Sequence, residues 1–462
     1  MLTRFEVSGF KNLNDVAVEF GPFTCVAGPN AVGKSNLFDA IRFLSGLADS
    51  TFTEVCAGVR SVERGYSSNL GSLFPETVML GGESFRLAAE MIVPGKVVDD
   101  FGQEVSPARS YLRYELEFKI ERDSNGVSGN ARLRLENEKL QHVRIKERPF
   151  YFKAHPYLKK YLTGSTKSKD YMTLHSKEDR PYVSVPFEKS GRPRQIPIAD
   201  APRTILSSLA SAEYPTLLAA KTEMVSWRFM ALEPTAMRAP DERMETRPID
   251  AAGAHVPASL YRQSVADGNQ EVYRLLSNDV GELVDVKQLR VVEDNVRQTL
   301  ELRAQVGGAP ELPARSLSDG TLRFLTLAAM AYSPGYIGLL GMEEPENGIH
   351  SAKIRAMLDL LLRLSRPRNG CLSQVLINTH SPYLVQGVLE EGADKVLCAV
   401  AWRRQNKGGG ELVSTSFHPL QDTWRSERSG DSEETLRSQA PVSKSKLFAF
   451  LKSPSSWAEC ES

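Results

Sequence analysis

The rhythm of apolar and polar positions changes several times along the chain. At the N-terminus Leu2-Thr-Arg-Phe-Glu-Val alternates as a strand does, and Gly9-Phe-Lys-Asn breaks the run. Two β-rich runs, residues 15–20 and 23–27, are joined at Gly21-Pro22. Leu37, Ala40, Ile41, Leu44 and Leu47 then recur at helical spacing. Residues 51–75 are rich in Gly and Ser and read as loop. Three β-like segments come next, 84–92, 111–120 and 131–135, with a strong turn signal at 123–130. Together they predict an antiparallel sheet. Residues 171–202 are polar, carry several prolines and read as loop or linker. A helical pattern spans 204–230, and a Pro-rich stretch runs on to Pro257. Residues 259–276 and 279–289 read as helices, 290–292 and 298–305 as a strand pair, and 307–313 as a loop. The apolar runs 336–342 and 374–379 suit buried parallel strands, and 395–402 is one more strand. Residues 403–442 read as a mobile polar tail, before Lys446-Leu-Phe-Ala-Phe-Leu451 and Trp457. Those last apolar residues suit either a partner's surface or the protein's own core.

Charge narrows the picture in one respect. Lys+Arg and Asp+Glu both total 57, which argues against a general coat of nucleic-acid affinity and leaves a local patch open. The candidate patch is residues 144–170. Arg144, Lys146, Arg148, Lys153, Lys159, Lys160, Lys167 and Lys169 face only Glu147 and Asp170, with Phe150, Tyr151, Phe152, Tyr157 and Tyr161 between them. Aromatics among cations fit DNA or another phosphate backbone. The favoured reading is a solvated surface with its rings packed below, because basic runs are usually just surface. The cysteines, Cys25, Cys56, Cys371, Cys398 and Cys460, show no zinc or redox spacing, so a reduced, cytoplasmic compartment is expected. No apolar run reaches the length of a membrane span, and the strand-like, charged N-terminus does not read as a signal peptide.

The chemistry is concentrated at three strand ends. Gly28-Pro-Asn30-Ala31-Val32-Gly33-Lys34-Ser35, followed by Asn36, fits the phosphate-binding loop and lies between a strand and a helix start. Its glycines let the backbone wrap a polyphosphate, with N–H groups pointing inward. Lys34 would reach the β- and γ-phosphates, and the Ser35 hydroxyl would bind Mg²⁺. The apolar run 336–342 ends in Glu343-Glu344-Pro345-Glu346-Asn347-Gly348. Two carboxylates at the end of a core strand are costly unless a cation or polar partner uses them. Glu343 is expected to hold the metal through water, and Glu344 to orient and deprotonate the attacking water. The run 374–379 ends in His380, placed to sense or stabilise a γ-phosphate. Ser318-Asp319-Gly320 opens another helix and forms a small anion site, or an ordinary helix cap.

Taken in this order, the motifs resemble the ATP-binding-cassette-type heads of the SMC/RecF class. More narrowly they resemble the AAA-family ATPases of the overcoming-lysogenisation-defect branch, found in bacterial anti-phage systems. The likeness covers roughly residues 1–50 and 310–400 and is loose over 80–300. It implies an α/β fold, an ABC/SMC-head-like P-loop ATPase with an antiparallel β-subdomain and an inserted helical or arm lobe. The implied division is an ATPase lobe over 1–75, the β-subdomain over 76–145, the arm over 146–258, a second ATPase lobe over 259–402 and a possible docking tail over 403–462. It also implies ATP and Mg²⁺ as ligands, and Lys11 and Asn12 as nucleotide contacts. Leu317-Ser318-Asp319-Gly320 would match the signature motif, which in this class completes the site of a second copy in a homodimer or higher homo-oligomer. Glu346-Asn347-Gly348 would match the D-loop. Glu343 stands where Asp is commoner. Relatives carry a TOPRIM nuclease domain or act with a separate effector. Since no Asp-x-Asp pair lies beyond residue 385, a separate HNH-type nuclease, as in Septu-type or retron-linked operons, is the expected partner. A nucleotide-gated scaffold with little turnover and a RecF-like DNA-repair ATPase are the alternatives.

Overall fold

The structure is a computed structural model. It describes the whole chain except residues 60–65, 80–82, 123–130, 165–169, 178–179, 189–190, 267, 269, 333–336, 369, 406–410, 428–438 and 453–462. The turn signal at 123–130, Lys167, Lys169 and Trp457 therefore lie outside the described residues.

A strand that is apolar at every position must be covered on both faces. Phe23–Ala27 and Val375–Thr379 are buried along their whole length, and they pair in parallel at the centre of a six-stranded sheet. Leu339–Glu343 lies on the far side of Val375–Thr379, and Trp227–Met230 closes that edge, both parallel. On the other side Val396–Gln405 runs parallel to Phe23–Ala27, and Glu411–Pro419 returns antiparallel. The helix Lys34–Leu47 buries Leu37, Ala40, Ile41, Leu44 and Leu47, the residues picked out by their spacing. Strand register brings the polar ends together. Glu343 stands opposite Asn378, Asn378 opposite Val26, and Thr379 opposite Ala27. Three strand ends thus finish side by side, where α/β sheets place their ligands.

The second sheet is antiparallel and eight-stranded. Its order is Arg194–Pro197, Arg180–Val185, Asp170–Lys177, Ala131–His142, Tyr111–Arg122, Phe85–Ile92, Leu2–Ser8 and Val16–Glu19. The three expected β segments lie at its centre. The first three strands of that order correct the loop expected over 171–202. They stand at one side of the sheet and are partly in water: Val183 and Val185 are buried while Leu174, His175 and Ser176 are exposed. Pro181 interrupts the pattern further, at the second position of Arg180–Val185, where the strand has only just begun. The segment 146–258 contributes the strands Asp170–Lys177, Arg180–Val185 and Arg194–Pro197 to this sheet and Trp227–Met230 to the six-stranded one. Its pattern over 204–230 divides into helices Ile205–Leu209 and Pro215–Val225 and then the core strand Trp227–Met230.

Residues 51–75, read as loop, hold the helices Phe52–Gly58 and Tyr66–Leu73. The first starts at a capping box in which Thr51 accepts from the Glu54 N–H and Glu54 accepts from Thr51. The expected helices over 259–289 are Val256–Ala266 and Glu271–Val284, and Leu289 belongs to the hairpin Val286–Asp294 and Thr299–Val306. The tail over 403–442, read as mobile, contains the strand Glu411–Pro419; after it the helix Lys444–Lys452 buries Leu447 and Phe450 in the main core, the second of the two readings of those apolar residues. In the basic segment Tyr151, Phe152 and Leu158 are buried in a small second core with Met1, Ile92 and Tyr111. Lys146, Lys153, Lys159 and Lys160 are exposed. Among the described residues no helix is long and apolar enough to cross a membrane.

Candidate active site

The loop after Phe23–Ala27 is shaped by backbone that few residues adopt. Ala31 and Gly33 have φ of 64° and 95°, and left-handed positions of this kind help turn successive N–H groups to one side. A Cβ on Gly28 would stand 2.6 Å from Ala399 O, and one on Gly33 would stand 2.2 Å from Thr415 Oγ1 and 2.7 Å from Asn12 Nδ2. Both positions therefore require glycine. Asn30 and Ala31 are exposed on the crest, and Val32 is buried beneath it. Lys34 is buried, and its Nζ donates to Gly28 O at 2.7 Å and Pro29 O at 2.6 Å. Burial pulls its pKa below the ordinary range, against the Glu344, Glu343 and Glu346 carboxylates.

The neighbouring strand end brings in the acids. The Ser35 hydroxyl donates to the Glu343 carboxylate, which also accepts from Asn378 Nδ2 at 3.4 Å. Glu344 has a φ of 45°, a strained value for a non-glycine residue that costs about 1–3 kcal/mol. Its N–H donates to Asn378 O at 2.9 Å. The turned side chain reaches two partners: Oε1 lies 2.8 Å from His380 Nδ1, and Oε2 accepts from Asn347 Nδ2 at 2.7 Å. Burial would raise the Glu344 pKa, but Asn347, His380 and Lys34 together hold it below the usual range. The ionised carboxylate only accepts, so Nδ1 of His380 carries the proton.

Lys11 and Asn12 behave differently from each other. Lys11 Nζ is 2.7 Å from Asp39 Oδ2, which holds it against the first helix. Asn12 sits behind the loop: its Oδ1 accepts from Asn36 Nδ2 at 2.7 Å, and its Nδ2 donates to Thr415 Oγ1 at 2.7 Å. Thr415 Oγ1 donates in turn to Val32 O at 2.7 Å. Thr415 carries no signal in the sequence, because its strand lies in a stretch that reads as polar tail. Asn378 and Asn347 are silent for a similar reason, since short amides near a motif do not stand out.

The structure does not bring Ser318, Asp319 and Gly320 to this cluster. They open the helix Asp319–Tyr332. Ser318 Oγ accepts from the Thr321 N–H at 3.2 Å, an N-cap. Asp319 pairs with Arg238, and a Cβ on Gly320 would lie 3.7 Å from Gly348 O. Gly348 belongs to the turn that carries Glu344.

The family described as "AAA domain, putative AbiEii toxin, Type IV TA system" matches residues 23–156 and 187–386, more than half of the chain. No curated protein matches. Similar solved structures include an SMC head bound to the C-terminal winged-helix domain of ScpA, 15% identical over 90% of this chain and 97% of that one, with a TM-score of 0.47. Another is an SMC head with an extended coiled coil bound to the C-terminal domain of ScpA derived from Pyrococcus furiosus, at 12% identity, 90% and 96% coverage and a TM-score of 0.44. The SMC head domain from Thermotoga maritima is 13% identical over 91% of this chain and 99% of that one, with a TM-score of 0.37.

Proposed function

The chain belongs to that family of AAA ATPases, and on this premise we propose that it is a Mg²⁺-dependent ATP hydrolase whose nucleotide state governs a separate effector. One observation carries the reading: an amide-lined loop, a buried lysine, two acids and a histidine meet at three adjacent strand ends. The donor set suits Mg²⁺, because the Ser35 hydroxyl and Glu343 carboxylate are hard oxygen donors already in contact. They would hold the ion, which neutralises phosphate charge when bound.

The N–H groups from Asn30 to Ser35 and the Lys34 ammonium bind the phosphates. Asn36 and Asn12, braced by Thr415, keep the loop in shape, and Lys11 steadies the helix behind it. Glu344 accepts the proton of the attacking water. The His380 Nδ1–H and the Asn347 amide aim its carboxylate. Ser318, Asp319 and Gly320 stand outside their own cluster, so in this reading a second copy supplies them and ATP joins two protomers head to tail. The family's description as a toxin of a toxin–antitoxin system supports a defensive role. The likeness to stand-alone Septu-type ATPases supports a cytoplasmic complex with an HNH-type nuclease.

Phosphate release by the purified protein, compared with Glu344→Gln, tests the enzymatic core. The variant should turn over at least about 100-fold more slowly while still binding ATP. Equal rates would reject hydrolysis and leave a nucleotide-gated scaffold.

A further inference from the structure

Glu346 has no role in that scheme, yet it is the most sheltered carboxyl of the acidic turn, at 8% exposure. The Thr379 hydroxyl donates to its Oε1. Thr379 Oγ1 also accepts from the Ser381 N–H at 2.9 Å, and Thr379 O accepts from the Gly28 N–H at 3.2 Å. One residue before His380 is thus gripped from the turn that carries Glu344, and the same residue is tied to the start of the phosphate loop. Among the described residues, Glu346 Oε2 is buried with no partner outside its own residue. Burial raises its pKa, and although the Thr379 hydroxyl pulls downward, the nearby Glu344 charge adds to the rise. A buried carboxyl with one satisfied oxygen is costly. It persists here at a junction of three loops that all face the same site.

We propose that Glu346 is a positioning residue for hydrolysis: by holding Thr379 it fixes the corner that bears His380, and with it the His380–Glu344 contact. This rests on the hydrolytic reading above. What Glu346 supplies is an acceptor of defined direction, so the role needs an oxygen on that turn and not a negative charge.

The test compares Glu346→Ala, Glu346→Gln and Thr379→Val with wild type, in steady-state ATPase assays and in long-range ¹H–¹⁵N spectra of the imidazoles without nucleotide. Glu346→Ala should lower kcat about 10- to 100-fold with KM for ATP within about twofold, because misaimed groups cost rate more than binding. Glu346→Gln keeps an acceptor for Thr379 and should recover most of the loss. Thr379→Val should resemble Glu346→Ala, and the double variant should be no worse than either single. In the spectra His380 should be an Nδ1–H tautomer in wild type and Glu346→Gln, and should lose that preference in Glu346→Ala. Unchanged kcat in Glu346→Ala, or a Gln variant as impaired as the Ala variant, would overturn the proposal. Absence of turnover in wild type would overturn the hydrolytic reading instead, and the tautomer comparison alone would then decide the positioning role.

Discussion

The phosphate loop and the strand Glu411–Pro419 touch through one hydroxyl, but they are encoded in opposite ways. In residues 28–35 the chemistry dictates the letters. Two positions admit only glycine, one must be a long cation and one a short hydroxyl. On the facing strand, Thr415 bonds Val32 O and Asn12 Nδ2, and its own N–H donates to Asn12 O at 3.0 Å. That work requires a hydroxyl at one spot and leaves the neighbouring residues free. A surface that meets a ligand constrains residue types over a whole loop, whereas a brace constrains a single atom.

The comparison is tested hardest at Gly33. Gly33→Ala adds a Cβ at a φ of 95° and 2.2 Å from Thr415 Oγ1. Nucleotide affinity should fall by more than about 100-fold, since both the backbone and the contact forbid it. Titration with a fluorescent ATP analogue measures the loss. Adding Thr415→Ala relieves the contact but not the dihedral, so it should restore little. Full recovery in the double variant would mean that the brace, not the loop backbone, sets the cradle.

Next in size are the groups that aim Glu344. His380→Ala should lower kcat about 10- to 100-fold and leave ATP affinity nearly unchanged. Both His380 and Asn347 lower the Glu344 pKa against the effect of burial. The carboxylate is therefore ionised down to a pH below the ordinary glutamate range, and activity should fall only as pH drops through that lowered value. Removing either partner raises the pKa, so Asn347→Ala should lose activity at a higher pH than wild type. Rate–pH profiles at saturating ATP read the shift, and an acid limb that stays in place or moves down would show that these contacts do not act on the base.

Thr415→Val takes out the brace and keeps the volume. Val32 O and Asn12 Nδ2 lose their buried partner, at a cost of about 1–3 kcal/mol in stability. ATP should bind about tenfold more weakly, as the loop loses its preset shape. Denaturant melts and the same titration check both. Unchanged binding would make Thr415 a structural residue only.

How much of this is legible in the sequence depends on the same division. The strand before the loop, its helix and the ends of the two acid- and histidine-bearing strands can be read directly, because burial on both faces enforces continuous apolar runs. The hairpin is legible in part: Thr299–Val306 alternates, whereas residues 286–289, which do not, read as the end of the preceding helix. The strands over 170–197 are not, since much of their length lies in water and Pro181 mimics a breaker. Trp227–Met230 merges into a helical pattern because a strand of 4 residues is too short to show a period. Lys11 and Asn12 stand next to each other in sequence, but only Asn12 reaches the loop, a division that spacing cannot express. Glu346 and Thr379 are visible as letters, and their contact depends on the register of two strands.

The smallest effect belongs to a signal that is present and outweighed. Thr51-Phe-Thr-Glu54 is a capping box in the sequence, yet the Gly and Ser around it favour a loop. Thr51→Ala should cost about 1 kcal/mol of stability. The helix it starts packs Val55 against Gly46, far along the first helix from the phosphate loop. ATP affinity should therefore stay at the wild-type value even as the melt shifts. Thr51→Ala and Thr415→Val lose comparable hydrogen bonds, so the pair isolates location from energy. If Thr51→Ala weakened ATP binding as much as Thr415→Val, loss of stability anywhere would be enough to loosen the cradle. The brace would then have no special standing. If only Thr415→Val weakens it, the shape of the loop is held by the atom that touches it.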